Sequence, residues 1–333
     1  MIPKKPILAE SLLLLLLGLA VIAALCAGRY AVKVSDIFRI IAGMETADPR
    51  AKTVILSLRL PRVLLASLCG AGLSAAGVGL QAMFGNPLVS SHILGVSASA
   101  GFGAALGILL FGRSWAVQGM ALLFGFGGMF IVCAMSRRQG RTGILLLVLS
   151  GVIVTAVFEA LTSLVKYVAD PEEKLPAITY YLMGSLASAS FRDVFSAGPA
   201  VLAGVIALWV IRWRLNVIAL SEDEAVSLGI DIRRVRTLIV IATTLIAASI
   251  VSVCGIISFV GLAAPHFARM LVGSDHRRLL GTSVVLGGVF VLAVDTLCRT
   301  VGASEIPLSI VTAVVGAPVF AFLLRRSEGS LHD

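Results

Sequence analysis

The strongest chemical signal in this sequence is a polar stripe on an otherwise oily stretch. Thr155, Glu159, Thr162, Ser163 and Lys166 fall at i, i+4, i+7, i+8 and i+11, which a helix would place on a single face. An ionisable residue inside an apolar run of membrane-crossing length is costly, and it turns to an interior or a wetted surface. Glu159 could be paired inside a bundle, but the hydroxyls around it favour the lining of a polar path. Ser309, Thr312 and Gly316 repeat the pattern more weakly near the carboxyl end. Other chemistry fails on spacing. His266 stands three residues before Arg269, with no second histidine or acid at metal-ligand distance along the chain. The sequence carries no convincing nucleophile-plus-base motif, and no lysine follows a glycine, so the GxxxxGK[ST] phosphate loop is absent. The sequence therefore predicts no catalytic residues, no metal site and no cofactor. If ATP drives this protein, ATP and Mg bind a partner chain.

Composition sets the surroundings of that stripe. Of 333 residues, 58% are hydrophobic and 14% are charged, against roughly 25% charged in soluble domains. Apolar runs of span length recur, so the class is an all-α polytopic membrane protein with about ten spans. They are expected near 7–27, 61–82, 93–111, 115–135, 143–167, 194–212, 237–254, 256–272, 279–298 and 307–324. The first is read as a retained span and not a cleaved signal. The whole of 1–333 forms one transmembrane domain, with the loop 213–236 inside it. Cys26, Cys69, Cys133, Cys254 and Cys298 lie in or at the ends of apolar runs without CxxC spacing, which suits packing. The net charge of +9 suits anionic headgroups or acidic proteins. Basic residues scattered between spans argue against nucleic acid. Arginines in the short loops place those loops, and both termini, on the cytoplasmic side.

Span two carries Ser67, Gly70, Ser74, Gly77 and Gln81 on one face, small residues that let another helix approach. It ends at Gly85-Asn86-Pro87-Leu88, where proline cannot continue the helix. Tyr180 and Tyr181, in the segment after span five, suit a membrane interface. Asp295 and Arg299, four apart, are expected to pair with each other. The charged interval Arg212 to Arg236 holds Ser221-Glu222-Asp223-Glu224, which fits a capping box. Gly229 fits the left-handed residue that ends such a helix, and Asp231 can cap a second short one. That loop is either a solvated surface or a docking surface for a partner.

Taken in order, the motifs resemble the FecCD family of ABC importer permeases, which move ferric siderophores, haem or cobalamin. The likeness runs from Arg59-Leu60-Pro61-Arg62 through Gly77, Gln81, Asn86-Pro87-Leu88 and Leu94-Gly95-Val96 to Gly184-Ser185-Leu186. It continues through Ala225, Leu228-Gly229, Gly255-Ile256-Ile257-Ser258-Phe259-Val260-Gly261-Leu262, Pro265-His266 and Arg269. It closes with Asp275-His276-Arg277-Arg278, Asp295, Arg299, Glu305-Ile306-Pro307 and Gly316-Ala317-Pro318-Val319-Phe320. One departure is a loop from Arg299 to Glu305 that is shorter than usual and lacks the common proline.

The resemblance implies a type II importer permease fold and a dimer whose pathway is lined by spans five and ten. It implies that Ser221, Glu222, Glu224, Ala225, Leu228 and Gly229 couple to a cytoplasmic ATPase. It places Asn86, Leu88, Thr142 and Gly143 at cytoplasmic gates, and Thr155, Glu159, Thr162, Ser309 and Thr312 along the pathway. Arg59, Arg62 and Arg299 fall where the family meets acidic residues of an extracytoplasmic binding protein. The expected partners are two ATPase copies, a second permease, the binding protein and membrane lipids. The cargo would be an iron chelate, haem or cobalamin. An ion-coupled secondary transporter using Glu159 is the alternative reading, and a membrane-embedded enzyme is disfavoured for want of an acid–base pair.

Overall fold

The computed structural model describes residues 6–28, 30, 32–44, 49–112, 114–138, 141–142, 144–220, 222–302 and 304–328. Among the described residues the regular structure is helical apart from one two-residue β pairing, β1 (Arg137–Arg138) against β2 (Arg141–Thr142). In order the helices are α1 (Pro6–Cys26), α2 (Val34–Ile41), α3 (Pro49–Thr53), a π-helical turn (Val54–Arg59), α4 (Leu60–Phe84), α5 (Val96–Phe111) and α6 (Trp115–Ser136). Then come α7 (Ile144–Val168), α8 (Lys174–Leu182), α9 (Phe191–Val210), α10 (Arg212–Ile218) and α11 (Glu222–Ser227). The chain finishes with α12 (Ile232–Cys254), α13 (Val260–Val272), α14 (His276–Thr300) and α15 (Leu308–Glu328).

Every expected apolar run is a helix. By length and composition, six could cross a membrane unaided: the continuous stretch Pro49–Phe84, α6, α7, α9, α12 and α14. The apolar helices Ser11–Cys26, Val96–Phe111, Val260–Val272 and Leu308–Pro318 are shorter.

α4 is the centre, packing against α14, α13, α12 and α9. Its stripe of small residues is why. A Cβ on Gly70 would lie 2.0 Å from the Gly287 carbonyl oxygen, and one on Gly77 would lie 1.9 Å from that of Gly261. Backbones this close gain dispersion contact where hydrocarbon supplies no hydrophobic drive between helices. α5 packs on α6 and α7, and Phe102, Phe124 and Phe158 form an aromatic cluster between these three helices. Large apolar side chains line the outside: Leu123, Phe130, Leu145, Leu164 and Ile206 are exposed, as lipid contact requires. Cys69 and Cys254 are free and buried, with sulfurs 3.4 Å apart between α4 and α12, in line with a packing role.

Two breaks shape the interior. Pro61 has no N–H, and just before it the chain runs in π register, with the Leu60 amide bonded to the Ile55 carbonyl. Between α12 and α13, Gly255 and Phe259 both take positive φ. For a phenylalanine this costs about 1–3 kcal/mol; here it caps α13 while the side chain packs on Gly316 of α15.

One expectation is corrected. Asp231 caps no separate short helix; its side chain accepts from the Arg234 amide at the start of α12. No breaker lies between Ile232 and Cys254, so the helix runs unbroken from the arginines into the apolar core.

Candidate functional site

The polar stripe of α7 opens onto a cavity of about 460 Å³. Thr155, Glu159, Thr162, Ser163 and Lys166 line one wall, and His92, Leu182, Ile256 and Ser258 stand among the residues that close it. The adjoining face of α7, with Gly151, Val154 and Phe158, is buried against α5, α6 and the turn before α5. A Cβ on Gly151 would lie 2.2 Å from the Ile93 carbonyl oxygen, so that turn is pressed against the helix. α7 therefore has a packed face beside its polar one, and the side opposite the stripe, with Ile153, Val157 and Leu164, is exposed. Thr162 and Ser163 donate back to the carbonyls of Phe158 and Glu159, at 2.7 and 2.9 Å. These back-bonds leave Glu159 and Lys166 as the charged groups of the wall.

His92 and Ser258 carry no signal of a site in the sequence. Both lie in non-helical segments, the turn after α4 and the break before α13, where periodicity says nothing. The polar residues of span ten do not join the cavity. Ser309 donates to the Ile256 carbonyl, and Thr312 is fully buried, donating to the Ser309 carbonyl at 3.2 Å. The physical reason is the open backbone at Gly255, whose carbonyls need donors. The Ser185 amide bonds Cys254, and the Leu308 and Ser309 amides bond Gly184 and Met183. The amino end of α15 is spent on docking. Tyr181 likewise turns inward, donating to the Val251 carbonyl at 2.8 Å.

At the expected gates, α4 ends at Gly85 in the left-handed conformation. Asn86 then makes a tight turn, its side-chain oxygen accepting from the Leu88 amide at 2.9 Å, and Leu88 is exposed. Thr142 sits in the β pairing, and Gly143 lies outside the described residues.

The segment expected to couple to an ATPase contains a helix, α11. α11 ends with Gly229 at φ +74° and bonds from the Leu228 and Ile230 amides to the Glu224 and Ala225 carbonyls, the closure a left-handed glycine allows. Ser221 lies outside the described residues, so the capping box is not described. Glu222 opens the helix and Glu224 lies within it. Ala225 is 1% exposed, whereas Leu228 is 62% exposed. Ala225 is therefore packed inside, while Leu228, at the closing turn, is open to a partner.

A second tie at this end was invisible in the sequence. Asn216 of α10 donates to Asp275 at 2.7 Å and accepts from the His276 amide at 2.8 Å. The His276 Nδ1 atom lies 2.8 Å from the same asparagine oxygen. This joins the segment before α11 to the start of α14, across sixty residues of chain. Asp275 also caps α14 through the Arg277 amide, and its carboxyl is held below the usual range, first by the Asn216 bond. Further in, Gln81 of the stripe accepts from Arg269 at 3.1 Å and donates to Gly261.

The arginines expected to face a binding protein are turned inward. Arg62 chelates Asp295 at 2.9–3.0 Å and Glu305 at 2.9 and 3.0 Å. Arg59 donates to the carbonyls of Leu25, Cys26 and Tyr30. Arg299 donates to Ala24 and stands 3.9 Å from Asp295. All three are less than a tenth exposed. The expected Asp295–Arg299 pair is thus secondary, because Arg62 offers a planar fork that grips the carboxylate twice. In this structure the set fastens α1, α4 and α14 together and presents no free fork to another protein.

With the geometry in place, the comparisons with known proteins agree with one another. The FecCD transport family matches residues 14–326. The chain is 40% identical over 96% of both chains to the molybdate import system permease protein MolB of Haemophilus influenzae. It is 39% identical, over 83% of each, to a probable iron chelatin transport system permease of Helicobacter pylori. A solved structure, described as an inward-facing conformation of a metal-chelate type ABC transporter, superposes with TM-score 0.88 at 38% identity, covering 96% of this chain and 99% of that one. These matches set aside the ion-coupled and enzymatic readings and fix the architecture as the type II ABC importer permease fold. The chain belongs to the FecCD transport family and is a membrane permease of the ABC importer kind.

Proposed function

We propose that this permease carries a metal chelate inward across a bacterial or archaeal cytoplasmic membrane, with both termini in the cytoplasm. A binding protein delivers the cargo to the outer face, and two copies of a separate ATPase act on α11 and the neighbouring loops. A second permease, identical or a close paralogue, completes a pathway on which α7 presents its polar wall. The observation that carries this reading is the cavity along α7, where Glu159, Lys166 and three hydroxyl residues share one face. An iron chelate is the favoured cargo, supported by the iron chelatin relative.

Molybdate is the second reading, favoured by the identity with the molybdate permease over nearly the whole chain. A wall that holds both an acid and a base does not select strongly for either sign of charge, which leaves selection to the binding protein. The test is uptake into proteoliposomes holding permease and ATPase, with the binding protein outside. The panel comprises a ferric siderophore, haem, cobalamin and molybdate. ATP-dependent uptake of a chelate supports the first reading. Uptake of molybdate alone replaces it with the second, and uptake driven by a proton gradient without ATP defeats both.

A further inference from the structure

A second cavity, of about 660 Å³, lies between the end of α6 and the first turns of α12. We propose that it is a binding site for one anionic phospholipid, headgroup outward and acyl chain against α12. Its walls change character along the helix axis. Arg233, Thr237 and Ile241 fall at i, i+4 and i+8, on one face of α12. Arg233 to Ile241 spans about 12 Å at the helical rise, more than the roughly 5–8 Å depth of one bilayer interface. The groove therefore starts among headgroups and ends among acyl chains. At its apolar end Ile241 is exposed beside Leu238.

At its polar end stand Arg137, Arg233 and Arg234 against one acid, Asp231. Asp231 is already engaged, bonding Arg234 Nε at 2.8 Å and capping α12. Among the described residues, Arg137 and Arg233 have no carboxylate partner. Two guanidiniums above an apolar slot match a phosphate that carries a hydrocarbon tail, and that chemistry is a lipid's. An acidic peptide would satisfy the arginines but leave Leu238 and Ile241 bare. The arginine-rich side is the cytoplasmic one in the orientation proposed above, where anionic lipid is drawn to basic residues.

The test is native mass spectrometry of the purified full-length permease, with equal phosphatidylglycerol and phosphatidylcholine added. Wild type should retain one phosphatidylglycerol per chain under activation that strips phosphatidylcholine. Arg137→Gln with Arg233→Gln should weaken that retention by about 25-fold, at about fivefold for each guanidinium removed. Arg137→Lys with Arg233→Lys should keep most of it. Thr237→Trp, which fills the slot without changing charge, should also lose the lipid. Equal retention of both lipids, or full retention in either the glutamine or the tryptophan variant, overturns the proposal. So does release of the lipid when the ATPase subunit binds, which would assign the groove to that partner.

Discussion

Arg62 shows how a side chain's task depends on where its charge is satisfied. It holds two carboxylates at 2.9–3.0 Å, that of Asp295 on α14 fully buried and that of Glu305 in the loop beyond partly open to solvent. Removing one member of a buried ionic set strands the others, at a cost of about 3–5 kcal/mol. Arg62→Gln should therefore lower the melting temperature of the purified permease by several degrees, and Arg62→Met with Asp295→Leu should recover part of the loss. If Arg62→Gln slowed binding-protein association with no change in melting, the arginine would serve docking and not the fold. Asp275 is a different case, being at the surface. Its carboxyl is depressed, chiefly by the bond from Asn216. A depressed acid lends stability above its unfolded value, near pH 3.9, and that share disappears as pH falls through the folded value. Thermal unfolding between about pH 6 and pH 3 should show an acid limb that Asp275→Asn flattens. Asparagine still caps α14, so a variant with an unchanged acid limb would argue against this pair.

Among the elements, α11 carries the clearest division of labour. Its glycine-closed end fixes the direction of Leu228, which is exposed, while Ala225 is packed inside. If α11 meets the ATPase as proposed, Leu228→Asp should leave the permease folded but reduce ATP-driven uptake severalfold, because a charge then replaces an exposed apolar side chain at that surface. Ala225→Leu should lower stability by about 1–3 kcal/mol, the usual cost of overpacking. Measuring uptake and melting together separates the two. A Leu228→Asp variant with wild-type uptake and ATPase assembly would remove α11 from the coupling surface. The Asn216 tie fastens α10 to the start of α14, which packs on α4 and α13.

For the whole molecule, the decisive feature is that the cavity along α7 lies at a face of the chain and not at its centre, which α4 fills with closely packed backbone. A path at a face needs a second chain to close it, as the proposed dimer would. Single cysteines at 155, 159 and 162, in a background lacking native cysteines, should react with a water-soluble thiol reagent. Their rates should differ between nucleotide-free and ATP-trapped complexes. Protection of all three in every state would place this wall outside the path. A cysteine at 312 should stay unreactive throughout, since Thr312 is buried within its own chain.

The class, the positions of the apolar helices, the small-residue face of α4 and the polar face of α7 were all legible in the sequence. Each is a local property, written in helical period and composition. The left-handed glycine after α11 was legible for the same reason, because a glycine just past a short helix is a local signal of its closure. What the sequence left open is where charges separated by hundreds of residues find each other. Arg62 could have faced solvent, lipid or protein, and only the packing of α4 against α14 brings Asp295 to it. His92 joins the α7 cavity, and Thr312 leaves it, because the open backbones after α4 and at Gly255 place them there. Burial and partner choice are properties of the assembled helices, set by how closely backbones approach, and no stretch of sequence contains them alone.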